Sequence, residues 1–150
     1  MQPAGDPPHT SDIRLLPLLR RAERSITGHL VDRLREAGFT GLTATHGNVF
    51  PYIEKDGSRV ADMARRAGVT KQTMAEFVNL LEQQGYVERR PDPADQRAKL
   101  VALTPLGADV VRVAGAAIRE AEAEWESAIG SDGMARLRDL LAKAPTAAPR

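Results

Sequence analysis

Cysteine is absent from this 150-residue chain. Its absence removes disulfides, thiolate catalysis, cysteine redox sensing and cysteine-based zinc sites together. No apolar run approaches the ~20 residues that a membrane-spanning helix needs. The opening residues, MQPAGDPPHTSD, lack the basic and apolar segments of a secretory signal. A cytoplasmic protein with no membrane partner is therefore the expectation. An excess of either charge is missing as well: 21 Lys and Arg stand against 20 Asp and Glu, so net charge identifies no partner. The three histidines, His9, His29 and His46, are scattered, and no ligand cluster sits at metal spacing. There is no Gly-rich phosphate loop, H-E-x-x-H or G-x-S-x-G motif. Neither an enzyme nor a cofactor is expected.

What remains is an ordinary globular composition, 42% hydrophobic and 27% charged, at a length suited to one domain with helical extensions. Charge is distributed unevenly. Between Lys55 and Thr104 nine basic residues face seven acidic ones, whereas after Thr104 six face seven. Solvated helix faces explain so mild a bias as well as a nucleic-acid partner does.

Residues 1–11 and 144–150 are rich in Pro, Gly, Ala and polar residues and are expected to be disordered. Between them, residues 12–37 carry Leu15, Leu19, Ala22, Ile26, Leu30 and Leu34 at spacings of three and four. That is the pattern of an amphipathic helix, stopped by Gly38, with Pro17 either starting it or bending its first turn. Residues 42–54 suggest a weaker helix, interrupted by Gly47 and Pro51. A short helix over 59–67 follows Ser58 as cap, and a firmer one over 70–84 is capped by Thr70 and stopped by Gly85. The two are joined only by Gly68-Val69 and a cap, as in a helix-turn-helix.

Tyr86 to Arg89 reads as a strand, PDPADQ as a loop, and Ala98 to Leu103 as the return strand. Thr104-Pro105 then begins a helix. Helix, helix, hairpin, helix is the order of a winged helix. The helix from Pro105 is expected to break at Gly130-Ser131 before a last one holding Met134, Leu137, Leu140 and Leu141. Long amphipathic helices at both ends carry more apolar surface than a winged helix covers, which suggests a homodimer. The fold class is thus mainly α with a small β-wing.

The stretch GVTKQTMAEFVNLLEQQGYVERRPDPADQRAKLVALTPLG, residues 68–107, resembles the MarR (multiple-antibiotic-resistance regulator) family of winged helix-turn-helix transcription factors. The likeness extends over about residues 40–107. Its specific part is the wing, Asp-x-Arg, a small and a basic residue, then apolar residues into Leu-Thr, met here as Asp95-Gln96-Arg97-Ala98-Lys99 and Leu103-Thr104. The resemblance implies a single domain over 12–143. Its winged helix would span 42–104, with residues 12–37 and 105–143 forming a helical dimerisation lobe.

It further implies a ligand-responsive repressor that binds a pseudo-palindromic site on double-stranded DNA. Thr70, Lys71, Gln72 and Thr73 would then enter the major groove, where helix N–H groups, an amide and an ammonium suit phosphates and base edges. Arg97, oriented by Asp95, would reach the minor groove or its phosphates. Arg89, Arg90 and Lys99 would touch phosphates. Glu76 departs from the usual polar or basic residue at its position; it shapes specificity or points away. The family also binds small aromatic or phenolic effectors beside the helix at 42–54. Arg14, His29, His46, Phe50 and Tyr52 are the nearest candidates, a core or surface role being open for each. Without DNA, the same fold would be a protein-interaction module, a reading disfavoured by arginines at both base and tip of the wing.

Overall fold

The computed structural model describes residues 14–43, 47 and 49–145. The arm at 1–11, most of the tail and His46 lie outside these residues.

Helix α1, Leu15–Glu36, realises the apolar spacing of the first segment. Pro17 fits inside its first turn, because N–H groups there have no intrahelical acceptor to lose. Gly38, at φ +89°, ends it, and Phe39 N–H reaches back to Leu34 O at 2.9 Å.

The helix expected over 42–54 is shorter than its pattern suggests. Gly47 N–H bonds Thr43 O at 3.1 Å, but by Phe50–Tyr52 the backbone has tightened into a 3-10 turn and Ile53 is extended. Pro51 is the reason, since it cannot donate to a continuing α-helix.

Helix α2, Val60–Ala67, is capped by Arg59 and not by Ser58. Ser58 is instead buried. Its hydroxyl accepts from Glu54 N–H at 2.9 Å, and its backbone exchanges two hydrogen bonds with Val101. Gly68 closes α2, and Thr70 opens α3, Lys71–Gln83, by accepting the Thr73 N–H at 3.1 Å. Met74, Val78 and Leu81 of α3 are buried.

Strands β1, Val87–Asp92, and β2, Asp95–Leu103, form the antiparallel wing. The strands run further than the sequence suggests, so only Pro93 and Ala94 remain as the turn. Pro91 is tolerated because it pairs with Lys99 next to a register shift, where regular bonding is already broken.

Helix α4, Pro105–Ala142, starts from Thr104, which accepts Gly107 N–H at 3.1 Å and donates to Gly85 O at 2.6 Å. Gly130, at φ 78° and ψ 160°, breaks α4 where the sequence placed a break. Arg138 beyond the break pairs with Glu122 before it, at 2.8 Å. In a straight helix these residues would be about 24 Å apart, so the end of α4 turns back on its own first part.

Met63, Met74, Val78, Leu81, Val87 and Val101 make the centre of a core beneath the wing. Above it α1 and α4 pack antiparallel. Ser25 meets Trp125, while His29 and Arg33 both meet Glu120. The paired Glu120 carboxyl is held below the usual range, first by His29 and then by Arg33.

Candidate nucleic-acid interface

The winged helix brings the start of α3 and the wing into one lobe. Nine basic residues between Lys55 and Thr104 compete for the description of a DNA-facing surface. Five already hold carboxylates: Arg59 with Asp92, Arg65 with Asp62, Arg66 with Glu54, Arg89 with Glu82, and Arg90 with Glu88. Among the described residues this leaves Lys55, Lys71, Arg97 and Lys99 without an ion pair. Three of these four stand on the first turn of α3 or on the wing. All three are exposed, so their charge is directed at solvent or at a partner from outside.

The first turn of α3 is ordered by its own side chains. Thr70 and Thr73 hydroxyls lie 2.9 Å apart. Gln72 Nε2 donates to Glu76 Oε1 at 3.2 Å. A carboxylate can only accept, so this contact fixes which way the Gln72 amide points. Gln72 keeps its carbonyl oxygen and one N–H for another partner, and Glu76 anchors it.

On the wing, Asp95 does not hold the Arg97 guanidinium. Its Oδ1 accepts the Arg97 backbone N–H at 3.1 Å, and its Oδ2 lies 3.8 Å from Arg59. The aspartate shapes the turn from which Arg97 projects. Asp92, which no motif in the sequence singles out, is the more deeply placed acid, only 5% exposed. It accepts Ala94 N–H at 2.8 Å and Arg59 Nε–H at 2.8 Å. The backbone bond from Ala94, then Arg59, holds its carboxyl below the usual aspartate range. Arg59 rises correspondingly, chiefly through its hydrogen bond to Asp92. Its signal in the sequence was Asp-Pro at a turn, which is common to many exposed turns.

The effector candidates among the described residues do not converge. Arg14 is the exposed cap of α1, and His29 serves the contact with α4. Tyr52 lies under Arg66, whose guanidinium carbon is 5.8 Å from the ring centroid. His46 lies outside the described residues; of the other four, Phe50 alone is placed on a cavity of about 210 Å³ between α1, α4 and the 3-10 turn. Leu30, Leu34, Val110, Ala114 and Ile118 are among its other walls. They were legible as apolar stripes, but nothing in a stripe distinguishes a cavity wall from packed core.

The sequence profile of the MarR family matches residues 40–98. The fold agrees with solved members over most of the chain. A MarR-family transcriptional regulator from Rhodococcus sp. RHA1 is 26% identical, with a TM-score of 0.68 over 89% of this chain and 92% of that one. The winged helix carries the MarR-family pattern over residues 40–98.

Two further likenesses show what MarR-type folds hold. CouR from Rhodococcus jostii RHA1, solved with p-coumaroyl-CoA, is 27% identical over 87% of this chain and 92% of that one, at a TM-score of 0.69. A MepR mutant from S. aureus, solved with an oligodeoxyribonucleotide, shares the fold at 21% identity and a TM-score of 0.58, over 87% of this chain and 95% of that one. No curated protein matches the chain significantly. The pattern matched is that of DNA-binding transcriptional regulators, which are not enzymes. Among the described residues no helix is long and apolar enough to cross a membrane.

Proposed function

We propose that the protein is a cytoplasmic, homodimeric repressor that reads a pseudo-palindromic operator and leaves it when a small effector binds. The observation that carries the DNA-reading part is the selective absence of ion pairs at Lys71, Arg97 and Lys99 while neighbouring arginines are neutralised. Two copies of α3 about one helical turn of DNA apart would enter successive major grooves. Gln72, with its carbonyl and free N–H, suits the N7/N6 edge of adenine, and Lys71 suits guanine or a phosphate. Arg97 and Lys99 belong to the wing contacts.

Dimerisation is supported by apolar side chains at the ends of α1 and α4. Leu15, Leu16, Leu140 and Leu141 are largely exposed in the single chain, more apolar surface than an isolated domain ordinarily leaves in water. The effector part rests on the cavity at Phe50. It is larger than the roughly 150 Å³ apolar cavity known to hold benzene, and among the described residues no charged side chain lines it. A neutral single ring fits that lining better than a carboxylate, which would be buried without a partner.

The test is competitive binding to a duplex that the protein itself enriches from a randomised pool. Gln72→Ala should cost ~1–3 kcal/mol at one base step and leave other positions unchanged. Arg97→Ala should weaken every duplex and reduce the salt slope by about one. Equal loss on all sequences for Gln72→Ala, or unchanged binding for Arg97→Ala, removes those assignments. In the same assay benzene should release the duplex and benzoate should not; the opposite order contradicts the effector class.

A further inference from the structure

We propose that Arg89 is a positioning residue that locks the wing to the recognition helix, and does not contact a phosphate. The proposal rests on the DNA-regulator reading and assigns Arg89 a different part in it. Arg89 leaves β1 on the side of α3. One terminal nitrogen donates to Glu82, and the other donates to Asn79 Oδ1 at 2.7 Å. Asn79 and Glu82 are three residues apart, so they lie one turn from each other on one face of α3. A planar guanidinium spans two such acceptors with its two arms; an ammonium at the end of a lysine has no comparable fork. Only 23% of the Arg89 side chain is exposed, against 61% for Arg90 next to it. Arg89 is therefore committed inward, and Arg90 is the outward member of the pair.

Helix electrostatics give the contact a reason. Glu82 stands in the last turn of α3, at the negative end of the helix dipole, and α3 has no basic residue of its own in that turn. Arg89 supplies from β1 the cation that the helix lacks. Moreover, the contact falls at the corner where α3 passes through Gly85 and Tyr86 into β1. It thereby fixes the angle between the helix that carries Lys71 and Gln72 and the hairpin that carries Arg97. A regulator in which that angle is set before binding places both elements on DNA together, without ordering them at the moment of contact.

Glu82→Gln separates the two roles by sign. It removes an acid and releases Arg89. If Arg89 acts on phosphates, affinity rises for every duplex. If it positions, the preference for the enriched duplex over a scrambled one falls, roughly tenfold for a coupled pair, while the salt slope stays unchanged. Arg89→Lys should lower that preference similarly, although it keeps the charge. The exchange Arg89→Glu with Glu82→Arg should recover most of it, which no phosphate contact could survive. A gain in general affinity for Glu82→Gln, a harmless Arg89→Lys, or an exchange no better than Arg89→Glu alone would each overturn the proposal.

A double-mutant cycle in thermal unfolding, pairing Arg89→Gln with Glu82→Gln, needs no DNA. Positioning requires the two effects to be non-additive, and strict additivity overturns the proposal even if DNA recognition itself holds. Failure of the wild-type protein to enrich any sequence would instead contradict the regulator reading, with the cycle still deciding on the contact.

Discussion

Single residues in this protein matter through what they leave no room for, as much as through what they touch. Gly107 is the clearest case. It lies in the first turn of α4, where a Cβ would come within 1.9 Å of Tyr86 O and 3.0 Å of Tyr86 C. Backbone cannot yield as a flexible side chain can, so α4 would have to lift from the corner between α3 and β1. Gly107→Ala should therefore destabilise the fold by about 1–3 kcal/mol. Denaturant unfolding measures this; an unchanged midpoint would mean that the start of α4 is not seated on Tyr86. The same corner receives the Thr104 hydroxyl, which donates to Gly85 O. Thr104 was legible as a helix cap, but its second bond was not, because it depends on where α3 ends in space.

At the scale of elements, the wing is secured to both helices of the helix-turn-helix, by Asp92 to Arg59 at the start of α2 and by Arg89 to Glu82 on α3. The first contact gives a pH dependence with a definite sign. Asp92 is depressed in the folded protein, so its ionised form is favoured by folding. The stabilisation is complete above its unfolded pKa and is lost as pH falls below about 4, toward the lower folded value. Thermal melts should thus show Asp92→Asn less stable than wild type at pH 7, with the gap closing under acid. A gap that persists unchanged at pH 2.5 would place the cost in shape and not in charge.

Elements with local signals were the ones most fully legible. Thr70, the stripe through Met74, Val78 and Leu81, and Gly85 delimited α3 within a residue or so. The break at Gly130 was equally plain. Where distant partners decide, local signals were insufficient. Ser58 has the chemistry of a cap but is taken up by Val101, Pro91 stays within a strand because a bulge accommodates it, and the return of α4 on itself depends on Arg138 meeting Glu122.

Across the whole molecule, charge acts by its allocation and not by its total. A net charge of +1 describes neither the neutralised arginines under the wing nor Lys71, Arg97 and Lys99 outside it. The residues proposed to read DNA can be named from the sequence by their place in a family pattern. Which of them keep a free charge became visible only once each carboxylate had a position. Under the proposed function, those unpaired cations act on DNA while α3 reads its sequence. Binding of the purified protein to DNA from upstream of its own gene, with scrambled duplex as competitor at two salt concentrations, tests this most directly. The account predicts tight binding that survives the competitor and weakens steeply as salt is raised, as release of counterions requires. No binding at either salt concentration would contradict it.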